Sequence, residues 1–226
     1  MKHIKRMIAI LGIISLLGGT LPAVVHAQQS QTSTKQMNFL EYYNQGVQKL
    51  AQGNYNGAIE DFNSVVQLNP RFHEGFCLRG LAKSLSGNFQ AAIADYSQAL
   101  RLNPNHTDAY NGRGSAHAEL GDINKAIADF NQTIKINPNL PDAHYNRGLV
   151  NFRQGNHTAA IADFNFAINL SPTLADAYGN RGLAQYALGD SKRAVEDLEQ
   201  AARLFREQGN TQGYQKTQAL LQQVQQ

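Results

Sequence analysis

Apolar side chains recur at helical spacing through nearly all of residues 39–208, and the pattern starts afresh every 34 residues. Each unit is counted so that a proline falls at position 32. Positions 2–14 then carry one amphipathic helix and positions 18–30 a second, with a glycine at position 15 suited to the left-handed conformation that ends the first. The glycines are Gly53, Gly87, Gly121, Gly155 and Gly189. Asn69-Pro70, Asn103-Pro104, Asn137-Pro138 and Ser171-Pro172 stop the second helix, because proline drives the residue before it out of the α region. Every unit is therefore predicted to be a helical hairpin.

Glycine also stands at position 8, as Gly46, Gly80, Gly114, Gly148 and Gly182, where each costs about 1 kcal/mol relative to alanine in a helix interior. Close approach of that helix to the alanines at position 20, Ala58, Ala92, Ala126, Ala160 and Ala194, is the expected compensation. Aromatic residues at position 4 (Tyr42, Phe76, Tyr110, Tyr178) and position 24 (Phe62, Tyr96, Phe130, Phe164) are expected to fill the layers beside it as core. Arginine recurs at position 7 (Arg79, Arg113, Arg147, Arg181) and aspartate at position 23 (Asp61, Asp95, Asp129, Asp163, Asp197), which predicts a ladder of ion pairs. Two pairings fit, Arg79 with Asp95 inside a repeat or Asp61 with Arg79 across a junction. The absence of arginine from the first repeat, where Gln45 stands, favours the junction.

Small residues at 8 and 20, aromatics at 4 and 24 and proline at 32 together resemble the tetratricopeptide repeat family, in five copies over residues 39–208. Arginine-glycine in the first helix and aspartate in the second resemble its secreted bacterial members. The resemblance implies an all-α, right-handed superhelical solenoid of antiparallel helix pairs, with a concave groove lined by the first helix of each pair. The fit departs at His144, which stands at position 4 of the fourth repeat. In the fifth, Leu198 replaces the aromatic and Arg206 the proline. Residues 209–226 are expected to form a C-terminal capping helix, with Tyr214, Thr217, Leu221 and Val224 on one face and glutamines on the other.

The family's groove positions fall on Cys77, Leu78 and Leu81 in the second repeat, and on small or polar groups such as Asn111 and Ser115 in the third. In the last two repeats they fall on Tyr145, Asn146, Leu149, Phe152, Arg153, Asn180, Leu183 and Tyr186, which form the candidate partner-binding site. Amides can bond an extended backbone, and aromatic or leucine side chains can hold its apolar groups. The expected function is a non-catalytic protein–protein interaction scaffold binding an extended peptide or partner protein. The alternative is an assembly factor that binds clients transiently. The family's clamp for a C-terminal carboxylate is not matched, since position 2 is Leu40 or an acid and no repeat has lysine at position 5.

Residues 1–27 read as a signal peptide: Lys2, Lys5 and Arg6 precede an apolar run, and Val25-His26-Ala27 offers a cleavage site. A polar linker, residues 28–38, follows. Export to the periplasm is expected, with an internal lumen or retention by an uncleaved signal as alternatives. No stable membrane span is expected once the signal is cleaved. Without those three cations, 17 basic residues face 17 acidic ones, and a neutral chain has no stripe to displace counterions from nucleic acid. Cys77 is the single cysteine, so no internal disulfide can form. No catalytic motif is present and no cofactor is expected. His73, His106, His117, His144 and His157 show none of the i,i+3 or i,i+4 spacings of a helical metal site, and no metal is expected. The polar last helix argues for a monomer over end-to-end self-association.

Overall fold

A computed structural model describes residues 38–225; the expected signal and nearly all of the linker lie outside them. The described residues form eleven helices and no strand. Their contacts group into two compact units that divide between Ala116 and His117. The first holds α1 (Phe39–Ala51), α2 (Tyr55–Leu68), α3 (His73–Leu85), α4 (Phe89–Leu102) and most of α5 (Thr107–Glu119). The second holds the end of α5, then α6 (Ile123–Ile136), α7 (Pro141–Arg153), α8 (His157–Leu170), α9 (Ala175–Ala187), α10 (Ser191–Glu207) and α11 (Thr211–Val224).

The helix ends follow from particular residues. At the end of α3, Gly87 has φ +84°, its N–H donates to Ser84 O at 3.0 Å, and the Asn88 N–H donates to Lys83 O at 2.9 Å. This crossed pair satisfies carbonyls the helix leaves open, and only glycine takes that backbone angle without strain. The Asn88 side chain then accepts from Ala91 N at 3.2 Å and caps α4, a role that Asn54 and Asp190 repeat at the starts of α2 and α10. The asparagines before proline have a function of their own: Asn69, Asn103 and Asn137 each accept from the N–H two residues on, at 3.1–3.2 Å, and hold the turn that proline begins. Where Arg206 replaces proline, the second helix runs on until Gly209, at φ +64°, ends it, and α10 has 17 residues against 14 for α8.

In the first unit Leu50, Ala58, Phe62, Val65, Leu78 and Ala82 form one dry cluster, and Ala92, Tyr96, Ala99 and Ala109 form the next. In the second, Phe164 joins Ala160, Ala167, Leu174 and Ala177, while Ala194, Leu198 and Ala202 receive Leu221 and Val224 from α11. Each fully buried phenylalanine or leucine contributes about 1.5–3 kcal/mol relative to exposure. The glycines at position 8 serve these clusters through the position-24 ring as well as through the alanine contact expected. A Cβ on Gly148 would stand 2.7 Å from Phe164 Cε1, and one on Gly46 2.8 Å from Phe62 Cε1, so the position-24 ring itself lies on the bare helix backbone. The expected alanine contact is present beside it in two repeats: a Cβ on Gly80 would stand 3.1 Å from the Tyr96 ring and 3.3 Å from Ala92 O, and with Leu198 in place of the ring a Cβ on Gly182 would meet Ala194 O at 3.0 Å.

Candidate functional site

The charged ladder is the most regular polar feature, and it pairs within repeats. Arg79 Nε and Nη2 donate to Asp95 at 2.8 and 2.6 Å, and Arg147 with Asp163 and Arg181 with Asp197 repeat the fork, each closing at 2.6 Å. The expected junction pairing is thus corrected, for Asp61 is held by Lys49 at 2.8 Å instead. The reason is geometric: positions 7 and 23 face one another across a hairpin, and the carboxylate at 23 points back into its own repeat. The junction is crossed by the remaining guanidinium nitrogen. Nη1 of Arg79, Arg147 and Arg181 donates to the preceding repeat's Asn63, Asn131 and Asn165, at 2.9, 2.5 and 2.6 Å. One planar fork therefore ties three helices, which a lysine could not do. The bond to Asp197 also raises the Arg181 pKa. These groups are architecture.

The second unit carries the candidate partner-binding residues, on α7 and α9. Tyr145 is only 4% exposed, tilted against Phe164 at 5.9 Å, and its hydroxyl accepts from Asn180 Nδ2 at 3.0 Å. Asn180 Nδ2 also donates to Asp176 O at 2.8 Å, so these two residues knit α7 to α9. Burial pushes the Tyr145 phenol well above its ordinary pKa, which keeps it a neutral partner for the amide. Leu149 and Phe152 are half-buried against the same cluster, with Phe152 5.2 Å from the His157 ring; Leu183 and Asn146 are half-buried too. The open groups are Tyr186, 45% exposed, and Arg153, whose side chain is 54% exposed and pairs loosely with Glu119 at 3.6 Å. Tyr145 and Asn180 thus form a buried floor that joins α7 to α9, and Arg153 on α7 and Tyr186 on α9 are the exposed candidates on the same two helices.

In the first unit the groove positions at Cys77, Leu78 and Leu81 are buried, at 2%, 0% and 3% exposure, because they pack into the two core clusters. Burial raises the Cys77 thiol well above its usual pKa, which suits an inert core residue. Two features escaped the sequence reading. Phe166 on α8 is 57% exposed and stacks on buried His144, with centroids 5.1 Å apart, so an apolar surface also exists on a second helix. And His73 and His106, 33 residues apart, come together beside Glu74. The signal for the latter was available: position 34 holds Phe72, Leu140 and Leu174 in three of the other repeats, and among the four repeats that another hairpin follows only the second has a polar group there, His106.

A sequence profile described as "TPR repeat" matches residues 85–121, 114–155 and 152–189, and one described as "Tetratricopeptide repeat" matches residues 175–208. Curated proteins give no match. Among solved structures, a MamA protein is 26% identical, with 76% of this chain and 94% of that one covered and a TM-score of 0.64. TTC0263, a thermophilic TPR protein from Thermus thermophilus, is 18% identical over 83% of this chain and 98% of its own, with a TM-score of 0.67. YrrB, described as a TPR protein with an unusual peptide-binding site, is 17% identical over 80% and 92%, with a TM-score of 0.60. These likenesses show a shared all-α solenoid fold of helix pairs.

Proposed function

Since the chain is built of tetratricopeptide repeats and belongs to that family, we propose that it is a non-catalytic binding scaffold of the cell envelope, holding an extended peptide or partner protein against α7 and α9. The observation that carries the reading is the contrast on those helices between a satisfied floor, Tyr145 bonded to Asn180, and the exposed groups that the same two helices carry, Tyr186 and Arg153. A floor that needs no partner for its own stability leaves the exposed aromatic and the cation to engage one, and tyrosine and arginine are the residues that anchor interfaces. The description of YrrB as having a peptide-binding site is in keeping with this. The envelope location rests on the basic, apolar and small-residue regions of residues 1–27.

The test is co-purification from a mild envelope extract, with chain isolated from its host expected to begin at Gln28. Tyr186→Ala and Leu183→Ala are expected to reduce retention of the partner by tenfold or more, since truncating an interface anchor commonly costs about 2 kcal/mol. Their melting temperatures should stay close to that of the parent. Undiminished retention in both variants would contradict the assignment.

A further inference from the structure

We propose that His73, Glu74 and His106 form a binding site for a single divalent transition-metal ion of the zinc class. One donor atom from each residue lies within 4.8 Å of the others, and His106 Nε2 stands 2.9 Å from Glu74 Oε2. Zinc bonds imidazole nitrogen and carboxylate oxygen at about 2.0–2.2 Å, so tetrahedral donors stand about 3.3 Å apart. A small opening of the His106–Glu74 pair and an approach by the His73 ring would complete three ligands, leaving the fourth position for water. Imidazole and carboxylate together suit zinc and its neighbours better than calcium or magnesium, which take oxygen alone.

A plain hydrogen bond between Glu74 and His106 accounts for two of the three residues. It leaves His73 unexplained, because His73 Nδ1 is buried with no hydrogen-bond partner among the described residues and its ring stands 5.1 Å, edge to face, from that of His106. A buried unpaired nitrogen is costly, and a metal at this cluster gives the His73 ring a reason to be there. The frame is suitably stiff. His73 and Glu74 open α3, and His106 immediately precedes α5, with its N–H donating to Asn103 O at 3.2 Å and its carbonyl accepting from Tyr110 N at 3.2 Å. His106 is 8% exposed at a position filled in three other repeats by Phe72, Leu140 and Leu174, so the packing of the repeat does not itself require an imidazole there. The stacked Phe72 ring, 6.3 Å from His73, adds an apolar wall.

The test uses the untagged chain, stripped with a chelator, desalted and titrated with Zn2+ against a chromophoric competitor. One equivalent per chain is expected, with a rise in melting temperature on adding Zn2+, since an ion that binds the folded state stabilises it. His106→Leu installs the side chain of the matching positions and so should fold; Glu74→Gln keeps shape and hydrogen bonding. Both, and His73→Ala, should lose the equivalent and the thermal shift, while His157→Gln should keep them. Co2+ in place of Zn2+ should give visible d–d bands in the parent and none in His106→Leu. Absence of stoichiometric binding in the parent would overturn the proposal, and so would a full equivalent retained by a His73→Ala, His106→Leu double variant.

Discussion

Asp163→Ala is expected to destabilise the chain by about 3–5 kcal/mol, the usual consequence of removing one partner from a desolvated ion pair. The Asp163 side chain is 5% exposed and accepts from Arg147 Nε and Nη2 and from Asn151 Nδ2 at 3.0 Å. Its loss leaves the guanidinium of Arg147, whose side chain is only 25% exposed, with its charge unanswered and Nη1 still tied to Asn131. The effect should be large although the intact pair contributes little net stability over an apolar replacement, since the pair specifies register and its breakage strands a charge. Urea unfolding of Asp163→Ala, Arg147→Ala and the double variant gives the coupling, expected at about 0.5–3 kcal/mol in the usual range for residues in contact, and larger than that of Arg147 with Asn131. Coupling to Asn131 that equals or exceeds coupling to Asp163 would reverse the assignment of the ladder.

Phe164→Ala is expected to cost about 3–5 kcal/mol as well, for a different reason. Its ring is fully buried, touches the Tyr145 ring and lies where a Cβ on Gly148 would be. Truncation opens a cavity against a helix backbone that has no side chain to collapse into it. Phe164→Leu should lose much less, because the fifth repeat already packs Leu198 at 0% exposure against Gly182. The comparison is made by denaturant midpoint at constant slope. Equal losses for alanine and leucine would mean that the ring's shape, and not the filled volume, holds the hairpin.

The repeat was legible because local rules and spacing agree. Pro70 and Gly87 mark helix ends by backbone geometry alone, and the 34-residue period repeats the proline four times and the glycine five. What stayed hidden depends on which of two near neighbours a side chain meets. Asp61 and Asp95 both fit Arg79 by spacing, and the sequence contains no measure of the hairpin's inner distance, so the missing arginine of the first repeat favours the junction although the carboxylate bonds run within the repeat and only Asn63 meets Arg79 across it. Likewise Gly148 announces a close approach but not that Phe164, instead of Ala160, makes it. The candidate surface was half legible: Tyr186 and Arg153 are open as their positions suggest, while Tyr145 turns inward because Asn180 one repeat later offers its hydroxyl a donor. The helix-spacing rule for metal ligands could not find His73 and His106, which a turn and a whole hairpin bring together.

The central claim, that α7 and α9 present the partner-binding surface, is tested most directly by site-specific photo-crosslinking in the intact envelope. A photoreactive phenylalanine analogue is placed in turn at Tyr186, at Leu183 and at Phe166, the last being an exposed apolar position on α8. The account predicts one discrete crosslinked partner from Tyr186 and Leu183, and none from Phe166. The same adduct from Phe166, with nothing at Tyr186 or Leu183, would contradict it and move the binding face to the second helices.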